Sequence, residues 1–177
     1  MKKILFFDGD GTLWYPKATK RTVKPFWVYL DEKTKNNFLD HLEIAPTVIE
    51  TLTLLRKKGV RLIILSTHPD KLKNADKVLY SKVKNFDLHD LFDAYYVTAE
   101  YPEAKGEKIV EIINGLNIKK SDALMIGDSY KWDFESAKNF GVDALLINSD
   151  YHLEHIQEEP VDKDKVIEEV EEILNHI

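Results

Sequence analysis

Two carboxylates stand two residues apart in Phe7-Asp8-Gly9-Asp10-Gly11-Thr12, directly after the apolar run 4–7. An extended chain sends alternate side chains to the same side, so Asp8 and Asp10 share a face at the end of that run. Carboxylates held that close repel one another unless a cation or a shared proton lies between them. A calcium loop of the EF-hand kind would use such acids, but its spacing demands Gly at position 13 and Glu at position 19, which are Leu13 and Thr19. A second pair follows in Gly127-Asp128-Ser129 with Asp133 beyond it. Alone, Asp128 and Asp133 serve equally well as helix caps, where geometry and dipole both favour Asp. Four acids at the ends of two strands exceed what capping needs, and an all-oxygen donor set of this kind suits Mg²⁺. Ser66 and Thr67 follow another apolar run, and Lys105 precedes an apolar helical stripe. Hydroxyls and backbone N–H groups hold phosphoryl oxygens, and an ammonium neutralises a carboxylate or a phosphate. Taken singly, Ser66 and Thr67 read as a helix cap and Lys105 as a solvated lysine.

The elements that must position these groups are legible as alternating patterns. Runs 4–7, 61–65, 94–97, 123–126 and 144–147 read as buried strands. Between them lie helical signals, the first from Pro46 through Val48, Leu52 and Leu55 to Gly59. Leu72, Ala75, Leu79 and Val83 form a second stripe, and Ile109, Ile112, Ile113 and Leu116 a third. A fourth helix closes at Phe140 and Gly141, and Val166, Val170, Ile173 and Ile177 give a C-terminal helix its apolar face. This alternation predicts an α/β fold: a doubly wound, Rossmann-like parallel sheet of about five strands with helices on both faces. The ligand crevice of such a sheet lies at the carboxyl ends of its strands, where Asp8, Asp10, Ser66 and Asp128 fall. Residues 14–44 do not fit the alternation. They form an aromatic and basic stretch read as a short insertion after strand one, with a strand or hairpin arm over 23–30 and a short helix over 33–42. The chain, 1–177, reads as one domain carrying 14–44 as a small cap-like insertion.

In this order and spacing the four pieces resemble the haloacid dehalogenase superfamily of phosphohydrolases, over about residues 3–148. The resemblance implies that Asp8 attacks phosphorus to form an aspartyl-phosphate and that Asp10 is the general acid and base. It implies that Ser66, with Thr67 beside it, binds the phosphoryl group and that Lys105 steadies that group and Asp8. Mg²⁺ would be held by Asp8, Asp128 and the backbone carbonyl of Asp10, with Asp133 in the outer shell or ligating directly. The implied substrate is a small phosphorylated molecule or a phosphotyrosine-like group. The Pro that usually follows the third-motif lysine is Gly106 here, and the insertion is about half the length of a helical cap. A minimal cap of that kind is more similar to the magnesium-dependent phosphatase subclass, with Trp14, Tyr15 and Lys17 as the expected rim. A 2-haloacid dehalogenase of the same fold has no use for a second acid at Asp10. A phospho-acceptor signalling domain would carry its acceptor on a later strand, where Ser66 stands, and a retained Asp10 speaks against an idle binding domain.

Composition narrows the remaining classes. A net charge of −6 and a pI near 5.5 lack the basic footprint of a nucleic-acid binder. Without cysteine there is neither a disulfide framework nor a thiolate metal site, so any metal is held by oxygen or imidazole. No stretch reads as a signal peptide or membrane span, and the protein is expected in the cytoplasm with no membrane partner. His68 reads as a loop or capping histidine, and the other histidines show no metal spacing. Oligomeric state leaves no mark in the sequence.

Overall fold

The computed structural model describes residues 1–67, 72–151 and 161–177, with Leu72 and Lys73 described in backbone only. Six parallel strands form the main sheet: β1 (Ile4–Phe7), β4 (Arg61–Thr67), β5 (Ala94–Thr98), β6 (Ala123–Gly127), β7 (Asp143–Ile147) and β8 (Val166–Ile167). Their order is β5-β4-β1-β6-β7-β8, so β1 lies inside the sheet with β4 and β6 at its sides. Strands β2 (Trp14–Pro16) and β3 (Leu42–Ile44) pair antiparallel, outside that sheet.

Period-two alternation sends the strand residues to two cores. Leu5, Phe7, Leu62, Ile64, Leu124 and Ile126 face one side, packed with Val48, Leu52 and Leu55 of α2 (Val48–Lys57) and with Leu79 and Val83 of α3 (Leu72–Asn85). Ile4, Phe6, Ile63, Leu65 and Met125 face the other, under Ile109 and Ile113 of α4 (Ala104–Gly115) and Ala137 of α5 (Ser136–Asn139). The doubly wound expectation therefore holds. No described helix is long and apolar enough to cross a membrane.

Three expectations are corrected. The sheet has six strands, because Val166 and Ile167 pair with Leu146 and Ile147 instead of opening a helix. The β-branched pair is placed where β7 would otherwise end the sheet, and that backbone pairing outweighs helical periodicity. Only a 3₁₀ run, Val170–Asn175, follows, and it still buries Val170 and Ile173. Residues 23–30 form no strand: Pro25 leads into the short helix α1 (Trp27–Leu30). Over 33–42 the chain forms turns, a 3₁₀ run, Phe38–His41, and the first residue of β3, instead of an α-helix. Side chains there satisfy the backbone locally: Asp31 Oδ1 accepts from the Lys33 N–H at 2.8 Å, and the Thr34 hydroxyl donates to Val28 O at 2.7 Å.

The insertion is fastened to the body by Arg21. Its guanidinium donates to Gly11 O at 2.8 Å, Glu168 O at 3.0 Å and Glu169 Oε2 at 3.1 Å, tying the insertion to the turn after β1 and to the C-terminal segment.

Candidate active site

At the end of β1 the Asp8 N–H donates to Ile126 O at 2.9 Å, extending the β1–β6 pairing by one residue. Asp8 thus stands beside the Gly127-Asp128 turn. The chain then doubles back, with the Gly11 N–H donating to Trp14 O at 2.7 Å and the Leu13 N–H to Gly9 O at 2.9 Å. Gly11 has φ +87°, and a Cβ on it would lie 2.1 Å from Asp128 Oδ2. Only glycine fits both that backbone and that contact.

Asp8, Asp128 and Asp133 are buried, and each offers a carboxylate oxygen within 4.8 Å of the others. Lys105, in the first turn of α4, reaches between them: Nζ donates to Asp8 Oδ1 and to Asp133 Oδ1, both at 2.5 Å. The other Asp133 oxygen accepts from the Ser129 N–H at 3.0 Å. Asp128 accepts at Oδ2 from the buried Tyr151 hydroxyl and at Oδ1 from Thr12 at 3.5 Å. Three ionised carboxylates against one ammonium leave two negative charges uncompensated, a deficit that a divalent cation matches.

The same imbalance moves the proton affinities. Burial pushes the Asp8 carboxyl well above its usual value against the pull of Lys105, with Asp133 and Asp128 adding repulsion. Burial and then Asp133 push Asp128 up to about 7, against the Tyr151 hydrogen bond and Lys105. For Lys105 burial opposes the charge, but Asp133 and Asp8 outweigh it and hold the ammonium above its ordinary value. Three carboxylates as the donor set, with more negative charge than Lys105 relieves, fit a hard, oxygen-seeking cation such as Mg²⁺.

Asp10 contributes no carboxylate to that group. Its side chain turns to the α2–α3 side of the sheet, where Lys82 Nζ donates to Oδ2 at 2.6 Å. Oδ1 accepts from Trp14 Nε1 at 3.0 Å and from the Tyr29 hydroxyl at 2.5 Å. Lys82 is 1 % exposed, and its ammonium lies 4.4 Å from the Tyr29 ring centroid and 5.7 Å from that of Trp14. Burial, then Asp10, raises the Tyr29 hydroxyl well above its ordinary range, so it stays a donor. Lys82 and Tyr29 were not singled out from the sequence. The signal for Lys82 is its place in the stripe Ala75, Leu79, Val83, Phe86, where a lysine stands at an apolar position.

These groups open on a cavity of about 140 Å³ lined at its floor by Asp8, Asp10, Thr67, Lys105, Asp128 and Asp133. Thr67 lines it and bonds through its hydroxyl to that of Thr98 at 2.7 Å, whereas Ser66 is buried and is not among the lining residues. Lys24, Pro25 and Phe26 of the insertion, Glu100, and Tyr130 and Trp132 of the segment after β6 make the walls. Trp14 and Tyr15, expected at the rim, are buried in the core, and Lys17 donates to Asp40 O at 2.8 Å. His68, His152 and His155 lie outside the described residues, and no described histidine lines the cavity.

Against known proteins, the model of the haloacid dehalogenase-like hydrolase family matches residues 5–147. No curated protein matches the chain. Among solved structures it is similar to a HAD phosphatase from Thermococcus onnurineus, at 20% identity and TM-score 0.70, over 99% of this chain and 97% of that one. A haloacid dehalogenase-like family hydrolase from Streptococcus pneumoniae aligns at 22% identity and TM-score 0.67, over 99% and 98% of the two chains. One from Xanthomonas campestris aligns at 15% identity and TM-score 0.65, over 97% and 92%. At these identities the likeness is one of fold.

Proposed function

Because the chain belongs to the haloacid dehalogenase-like hydrolase family, we propose that it is a Mg²⁺-dependent phosphatase of phosphate monoesters, with Asp8 as nucleophile and Asp10 as general acid and base. The observation that carries this reading is the buried group Asp8, Asp128 and Asp133, bridged by Lys105 at the floor of the cavity. A dianionic phosphoryl group enters so acidic a pocket only where positive charge is supplied. Asp8, Asp128 and the Asp10 backbone carbonyl would hold the cation, which when bound supplies charge to offset that of the phosphoryl oxygens. Asp133, with both oxygens already engaged by Lys105 and the Ser129 N–H, suits an outer-shell place and fixes the lysine.

In this reading an Asp8 oxygen attacks phosphorus and the bond to the leaving oxygen breaks, while Asp10 gives that oxygen a proton. Water then attacks the aspartyl-phosphate, Asp10 takes its proton, and Asp8 is released. Lys105 would neutralise Asp8 and the equatorial phosphoryl charge, and Thr67, which lines the cavity, would hold a phosphoryl oxygen. Ser66, buried just before it, would bind the phosphoryl group with it. The insertion 14–44 acts as a minimal cap, since Lys24, Pro25 and Phe26 wall the cavity while its root is built into the core.

Phosphate release from p-nitrophenyl phosphate should vanish in EDTA and return with Mg²⁺, and intact-mass analysis should find phosphorylated protein that Asp8→Asn abolishes. Full turnover in metal-free protein, or phosphorylation persisting in Asp8→Asn, would count against the reading. Halide release from 2-chloropropionate would point to the dehalogenase instead.

A further inference from the structure

Asp10 is gripped on both oxygens by three donors from three parts of the chain: Lys82 of α3, Trp14 of β2 and Tyr29 of α1. An ammonium and an indole N–H have no lone pair to offer, so both meet Asp10 as an acceptor. These hydrogen bonds hold both oxygens of Asp10 in place, and an oxygen that takes a proton from water needs its lone pair held toward that water. Packing alone does not explain Lys82. An apolar side chain at that stripe position would fill the space without desolvating an ammonium. Nor is Lys82 free to turn elsewhere, because its ammonium lies against the Tyr29 ring and beside Trp14, which stacks on Phe86 of the same helix end at 5.9 Å.

We infer that Lys82 and Tyr29 are positioning residues of the hydrolytic half-reaction: they lock the Asp10 carboxylate in the orientation from which it takes the proton of the attacking water. In that step the water oxygen bonds to phosphorus, the Asp8–phosphorus bond breaks with its electron pair returning to Asp8, and the water proton passes to Asp10. Lys82 and Tyr29 keep their protons throughout. The inference rests on the phosphatase reading and adds to it that the insertion supplies part of the catalytic alignment, through Tyr29, besides walling the cavity.

Tyr29→Phe removes one hydroxyl and keeps the ring, so it leaves the fold intact where Lys82→Met, which strands a buried carboxylate, could disturb it. With p-nitrophenyl phosphate, whose leaving group departs without help, rapid-quench kinetics should show phosphoenzyme formation in Tyr29→Phe within about threefold of wild type. Steady-state turnover should fall by about tenfold or more, so that phosphoenzyme accumulates by intact mass. Lys82→Met, where circular dichroism shows it folded, should shift the balance the same way and further, and Lys82→Arg should recover part of the loss. A change confined to stability would not raise the phosphorylated fraction at steady state. Equal loss in both steps, or no accumulation in Tyr29→Phe, overturns the inference and leaves the phosphatase reading standing. A wild type that never becomes phosphorylated on Asp8 overturns both.

Discussion

Specificity at the residue scale should lie with the side chains that wall the cavity away from its acidic floor. Phe26, Tyr130 and Trp132 give an apolar flank, and Lys24 and Glu100 bring one charge of each sign. An aromatic leaving group should therefore be accepted readily, with modest selectivity among small phosphate monoesters. Trp132→Ala should raise KM for p-nitrophenyl phosphate by about three- to tenfold, the worth of one aromatic contact, with kcat little changed. Unchanged KM in both Trp132→Ala and Phe26→Ala would move recognition off this wall. The grouping of Asp8 with Asp128 and Asp133 was readable before the structure because acids two residues apart after one apolar run, and a second pair after another, exceed what capping needs. Lys82 was not, since one lysine in a lysine-rich helix announces itself only through the face it occupies. Tyr29 and the burial of Trp14 were hidden for a related reason: an insertion without periodicity gives no rule for which aromatic points inward.

Scaled up to elements, Gly106 shows how α4 is brought close enough to aim Lys105. A Cβ there would lie 2.4 Å from both Phe140 Cδ2 and Ser136 O, and the Gly106 N–H donates to Ser136 Oγ at 3.0 Å. The departure from the usual Pro is thus explained by a hydrogen bond that Pro could not make and by a contact that leaves no room for its ring. Gly106→Ala should force α4 and α5 apart and cost about 1–3 kcal/mol, read as a lowered urea midpoint at unchanged slope. An unchanged midpoint would mean that α5 yields without strain. Strands β1, β4, β5, β6 and β7 were legible because apolar runs bounded by helical patterns leave little choice. Strand β8 was not, because two residues carry no period and their fate depends on the edge of β7, an element 20 positions away in its register with Leu146 and Val166.

For the molecule as a whole, the acidic pocket links stability to pH and to metal. Asp8 and Asp128 have folded-state proton affinities raised above the ordinary 3.8, Asp128 to about 7. A raised acid contributes stability that is complete below its unfolded value and is lost as pH climbs through the folded one. The metal-free protein should accordingly become less stable from about pH 4 to pH 7 through Asp128, with Asp8 acting in the same direction, the opposite of an ordinary salt-bridged carboxylate. Mg²⁺ should reverse the trend, raising Tm more at pH 8 than at pH 5, because it binds the deprotonated folded state. Differential scanning fluorimetry with EDTA or Mg²⁺ across that range checks both signs, and a Tm indifferent to Mg²⁺ at pH 8 would remove the metal from this pocket. The pairing of β1 with β6 carries a consequence in time as well. Thr12 and Asp128 are 116 positions apart in the chain, yet they meet across adjacent strand ends. A contact between such distant partners carries a larger loop-closure cost than the local contacts of α2 and α3. The pocket therefore reports on the β1–β6 seam during refolding: Mg²⁺ binding should return no earlier than helical circular dichroism, and an earlier return would mean the seam closes before the helices form.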